Sequence, residues 1–119
     1  MQAGTFEYAN GVLGATVATQ LGIVTGTQRY NRMAFTISGI STEGISCYIS
    51  YDYNDTGASG TFGAVAIRPT NMATGAVITV DTMGNGNYIL VNTPWRAVKF
   101  VKAAATESAT LRWATLNAN

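Results

Sequence analysis

From residue 33 onward, apolar and polar side chains alternate with a period of two. In "MAFTISGI", Met33, Phe35 and Ile37 fall on one side and Ala34, Thr36 and Ser38 on the other. In "ISCYISYDY", Ile45, Cys47, Ile49, Tyr51 and Tyr53 share one parity, with Ser46, Tyr48, Ser50 and Asp52 opposite. That is the pattern of antiparallel strands buried on one face and wetted on the other. The run "GISTEG" between them is rich in turn residues, so the two segments are expected to pair as a hairpin. "FGAVAI" (62–67) and "AVITV" (76–80) are shorter strand candidates, and Pro69 between them marks an edge or loop position. "MGNGN" is a turn signal leading into the strand "YILV" (88–91). Turn signals recur about every ten residues, the spacing of an all-β sandwich or barrel.

The segment "WRAVKFVKAAATESATLRW" (95–113) admits two readings. As a helix it would set Arg96, Lys99 and Lys102 three apart, a basic stripe suited to nucleic acid or an acidic membrane. Ala103 to Ala105 favour that helix. The apolar residues do not: Trp95, Val98, Phe100, Val101, Leu111 and Trp113 gather on no single helical stripe. As strands, Val98 pairs in parity with Phe100 and Leu111 with Trp113, while Thr106-Glu107-Ser108 forms a turn. A segment that follows five strand candidates completes sheets more readily than it starts a lone helix. The hairpin is therefore the expectation. It splits the basic stripe, with Lys99 on the face opposite Arg96 and Lys102, and places Trp95 and Trp113 near a shared packing site at its base.

Residues 1–30 behave differently. They show frequent Gly, little charge and no clean alternation, and are expected to form extra strands or an extended arm beside a domain spanning 31–119. The most apolar run, "GVLGATVATQLGIVTG" (11–26), is too short for a membrane span and is interrupted by Gln20 and several Thr and Gly. The opening "MQAGTFEYAN" has neither a basic region nor an apolar core, so no secretory signal is expected.

Composition narrows the function. The chain has 119 residues, one domain by size, and 11% of them are charged. A typical value is about 25%. Ala, Gly, Thr, Ser and Asn fill the gap, which suits β-faces covered by other subunits better than a free monomer. A net charge of +1 argues against a dedicated nucleic-acid binder. The absence of histidine removes Ser-His and Cys-His catalysis and the commonest metal ligand. The single cysteine, Cys47, excludes an intramolecular disulfide and reads as a small core residue.

Three constellations could carry chemistry. "DYND" (52–55) offers oxygen ligands for a hard cation but lacks a full carboxylate ladder, and short Asp/Asn runs at strand ends more often make Asx turns. Tyr48 alone among the central tyrosines shares the polar face, and with Trp95 it could stack on sugar rings. The acids Glu7, Glu43, Asp52, Asp55, Asp81 and Glu107 mostly fall in expected turns or strand ends and form no pair fit for glycosidase chemistry. No catalytic residue, cofactor or metal is expected, and the chain is expected not to be an enzyme.

Residues 35–113 resemble the small β-sandwich structural proteins of tailed bacteriophages, including capsid decoration (cement) proteins and head-fibre or tail-associated jelly-roll modules. The likeness rests on "FTISGISTEGISCYISYDYND" and on "GNYILVNTPWRAVKF" with the alternating Thr and apolar residues after it. It implies a fold: an all-β antiparallel sandwich, jelly-roll-like, with an extended or irregular N-terminal arm. It also implies a role as a virion component made in the host cytoplasm and placed on the capsid surface. Such a protein binds the major capsid protein or other coat subunits and often forms a homotrimer, with no nucleic acid or membrane partner. Residues 1–30 depart from the pattern and are taken as the contact-making part, with Phe6, Tyr8, Leu13, Leu21, Ile23 and Tyr30 as candidate partner contacts. The alternative is a carbohydrate-binding module of a fibre or receptor-binding protein, stacking glycans on Tyr48 and Trp95.

Overall fold

A computed structural model describes residues 2–8, 19–40, 44–54, 56–57, 59–91, 95–102 and 108–117. Its strands are β1 (Gln2–Tyr8), β2 (Thr19–Thr25), β3 (Arg32–Ser38), β4 (Ile45–Ser50), β5 (Thr70–Asn71), β6 (Ala76–Val77), β7 (Gly86–Val91), β8 (Ala97–Lys102) and β9 (Ala109–Leu116), with a short 3-10 turn at Thr27–Arg29. They form an antiparallel β-sandwich. One sheet has six strands in the order β1-β9-β3-β7-β5-β6, and the facing sheet has three in the order β2-β8-β4. Of residues 1–30, β1 is one outer strand of the larger sheet and β2 one outer strand of the smaller.

The period-two pattern sets the buried face. Met33, Phe35 and Ile37 of β3 point inward together and are 0–2% exposed. From the other sheet, Ile45 and Cys47 of β4 and Val98 and Phe100 of β8 meet them. Phe35 is central: it lies opposite Tyr88 on β7 and Trp113 on β9. Its ring stacks on Tyr88 at 5.6 Å and takes the edge of Phe100 from the facing sheet at 5.0 Å. Burying a ring of this size contributes about 1.5–3 kcal/mol by area, and removing it would cost about 3–5 kcal/mol with the cavity included.

Both expected hairpins are corrected. β3 pairs with β7 and β9, whereas β4 pairs with β8, so the two segments lie in facing sheets. Likewise β8 belongs to the smaller sheet and β9 to the larger. Alternation specifies which face is buried, and a strand satisfies it equally by pairing with its chain neighbour or by facing that neighbour across the core. At the first crossover the chain leaves β3 through Gly39 at φ +92°, a conformation that favours glycine. Asn85 then holds the crossing chain: its Oδ1 accepts from Ile40 N at 3.2 Å and its Nδ2 donates to Ile40 O at 2.6 Å. The "MGNGN" turn thus also braces the passage between sheets.

At the C-terminal end β8 and β9 are strands, not a helix. Lys102 lies inward, opposite Ile45 and fully buried, while Lys99 lies on the outer face. The tryptophans do not share a packing site. Trp113 packs against Phe6 at 6.1 Å, whereas Trp95 lines a groove with Pro69, Leu90 and Val91. Their separation follows from the missing hairpin.

The candidate strands 62–67 and 76–80 shrink. The first lies along the edge of β4 through two bonds, Gly63 N to Ile49 O at 2.9 Å and Ile67 N to Cys47 O at 2.8 Å. Met83 continues this cover by exchanging two backbone bonds with Ile45, at 2.9 and 2.7 Å. The second is a strand only at Ala76–Val77.

Candidate docking surfaces

The outer face of the larger sheet is built from small residues in register. Ala3, Ala114, Ala34 and Ile89 form one row across β1, β9, β3 and β7. Thr5, Arg112, Thr36 and Asn87 form the next, with Thr36 Oγ1 donating to Asn87 Oδ1 at 2.6 Å. Because alanines leave the backbone close to the surface, a shallow groove of about 510 Å³ opens between these rows and Met72. Arg112 is exposed there, and Met72, Val77 and Val91 stand exposed on the same sheet or its β5–β6 turn. A flat face of small side chains, with exposed Met72, Val77 and Val91 beside it, is suited to covering by another surface.

The outer face of the smaller sheet is different. Register puts Ile23, Lys99 and Tyr48 in one row. The Lys99 ammonium lies 5.5 Å from the Tyr48 ring centre and 4.7 Å from that of Phe62. Phe62 also meets Tyr53, which is 8% exposed. Tyr53 and Phe62 thus fold back over this face.

Asp52 pins that fold-back. Its Oδ1 accepts from Thr61 N at 2.8 Å and from Ser50 Oγ at 2.9 Å. The Thr61 amide first, and the Ser50 hydroxyl second, hold its carboxyl below the usual carboxylate range. Beside it runs a second groove of about 530 Å³, walled by Ile49, Ala64, Val65 and Ile67 with Tyr51 at its rim. Tyr51 is 67% and Val65 73% exposed, the two most exposed large apolar side chains described. Parity had set Tyr51 with Ile45, Cys47 and Ile49. The strand ends at Ser50, and the bend at residues 51–52 turns the ring out. The available signal was "SYD", where a short polar side chain two residues before an Asp can bond it and close a turn.

The candidate residues of the sequence go to several places. Phe6 is half-buried on the inner side, between Trp113 and the backbone of Gly22. Tyr8 closes β1 opposite Ala109, and Leu21 sits at the β2 bulge between Gln20 and Gly22. Leu13 lies outside the described residues. Ile23 is on the outer face of the smaller sheet, and Tyr30 is half-buried after the 3-10 turn. Of those whose side chains are described, Phe6, Ile23 and Tyr30 lie in three different places. Tyr48 and Trp95 do not converge either: Tyr48 faces Lys99, while Trp95 lies against the core.

The Cys47 thiol is buried, donates to Ile67 O at 3.5 Å, and is pushed by desolvation up to about 12. Such a thiol is a poor nucleophile. Asp81 is engaged with Arg68 at 3.0 Å. In "DYND", Asn54 Oδ1 accepts from Thr56 N at 2.9 Å, an Asx turn, while Asp55 lies outside the described residues. Among the described residues no group of three His, Cys, Asp or Glu could hold a metal, and no helix is long and apolar enough to cross a membrane.

No protein-family model matches the chain, and no curated protein matches its sequence. Among solved structures, the crystal structure of the SPBc2 prophage-derived protein YomS shares the fold. The TM-score is 0.62 at 18% identity, over 94% of this chain and 90% of that one. At that identity the likeness is one of architecture, an all-β sandwich matched along nearly its whole length.

Proposed function

We propose that the chain is a non-enzymatic bacteriophage structural protein that decorates the capsid and clamps neighbouring coat subunits. The observation that carries this reading is the end-to-end fold match to a prophage-derived protein. The surfaces support it physically. The outer face of the larger sheet presents alanines, threonines and β-branched residues, with Arg32 and Arg112 as its charges among the described side chains. Covering such a face removes apolar area from water while desolvating few charges. The partner is the major capsid protein or another coat subunit, the location is the virion surface, and the working form is a homo-oligomer, with a trimer favoured by the resemblance. A carbohydrate-binding role through Tyr48 and Trp95 has less support, because the two rings occupy different surfaces.

The test is co-sedimentation of the purified chain with empty shells of the phage that encodes it, with light scattering of the free chain. The chain is expected to pellet with shells and to be oligomeric in solution. Arg112→Glu, which places a carboxylate in the middle of the small-residue face, is expected to weaken shell binding about tenfold, or about 1.4 kcal/mol. A stable monomer without affinity for shells would overturn the reading.

A further inference from the structure

We propose that the groove between Tyr51 and Val65 receives a single basic side chain, an arginine, from an apolar segment of the partner. This takes from the preceding reading only that the occupant is a polypeptide. The groove has apolar walls, Ile49, Ala64, Val65 and Ile67, and one charge, the Asp52 carboxylate. No basic side chain among the described residues pairs with that carboxylate, and Lys99 is occupied with Tyr48 and Phe62. An apolar trough ending in an uncompensated anion complements a long aliphatic stem ending in a cation.

Two features select arginine. The exposed Tyr51 ring, next to the carboxylate in sequence and lining the same groove, offers a face on which a planar guanidinium can stack. The carboxylate itself is held in place by Thr61 and Ser50, so it meets the incoming group without first being ordered. A glycan fits less well. Its hydroxyls need many polar partners, and the lining offers chiefly aliphatic side chains around one carboxylate.

The experiment is a two-dimensional amide NMR titration of the full chain with acetyl-Val-Arg-Val-amide, run beside its Gln-for-Arg counterpart and beside maltotriose. The expected result is saturable shifts confined to residues 49–52 and 61–67 with the arginine peptide alone. Asp52→Asn keeps an oxygen acceptor for Thr61 and Ser50 but loses the charge, and is expected to weaken binding at least about tenfold. Tyr51→Ala, at an exposed site, is expected to weaken it about threefold to tenfold. Equal binding of the Gln peptide, unchanged binding by Asp52→Asn, shifts with maltotriose alone, or no shifts at all would each overturn the proposal. Shell co-sedimentation of Asp52→Asn separates the two readings. Binding equal to the unmodified chain removes the groove while leaving the decorating role intact. Peptide binding without shell binding does the reverse.

Discussion

Phe6 and Gly22 meet where β1 ends one sheet and β2 ends the other. A Cβ built on Gly22 would lie 2.5 Å from the Phe6 ring, so the ring lies flush on bare backbone. Gly22→Ala is therefore expected to cost about 1–3 kcal/mol in urea unfolding, with partial recovery in Gly22→Ala/Phe6→Leu. Equal losses in the single and double variants would show that the contact is not what Gly22 provides. Cys47 makes a prediction of opposite kind. Burial raises its thiol to about 12, so the native state prefers the neutral form. The resulting stability is fully present below the ordinary thiol value and is lost as pH rises from there toward 12. The wild-type chain is expected to lose up to about 1.4 kcal/mol per pH unit more than Cys47→Ala across that window, measured by denaturant midpoints. At this scale the core was readable from parity, as Met33, Phe35, Ile37, Ile45 and Cys47 show. Tyr51 was not, because parity holds only while the strand continues.

Strands were legible as strands but not as partners. The segments 33–38 and 45–50 carry the same signature whether they pair or face each other, so the ladder depends on contacts far along the chain. What diverts the chain at Gly39 is a positive φ, then two bonds between Ile40 and Asn85, which lies 45 residues along the chain. Asn85→Ala removes both bonds and is expected to cost about 1–3 kcal/mol. Native-state hydrogen exchange should show the Ile40 amide released first, with little change at Phe35. Uniform acceleration across β3 would indicate that Asn85 acts on the whole fold instead of on the crossover. The segment 62–67 illustrates the same limit. Its apolar residues suggested a strand, yet it meets β4 at only two points, because Gly63 and Ala64 give it little side chain with which to hold a register.

On the scale of the molecule, the all-β class and the sandwich were legible because turn spacing and alternation are properties of the whole chain. The candidate surfaces were largely not. The small-residue face depends on Ala3, Ala34 and Ala114 falling in one row, and they come from three distant segments aligned only by register. The groove beside Tyr51 joins residues on both sides of a fold-back whose pin, Asp52, first stands out as a possible cation ligand. The first juxtaposition is contained in no single stretch of sequence, and the second lies within residues 49–67 but depends on how that stretch folds back.

The pairing of β1 with β9 has a mechanical consequence. The strands are antiparallel, and Gln2 lies opposite Thr115, joined through Gln2 N to Thr115 Oγ1 at 3.2 Å. Tension applied through residues 2 and 117 would therefore peel β1 away from that corner, breaking the ladder bond by bond instead of shearing all of it at once. A load entering across the broad sheet face is shared by several strands. The fold is thus weak when pulled at residues 2 and 117 and stronger when pressed across its broad sheet face.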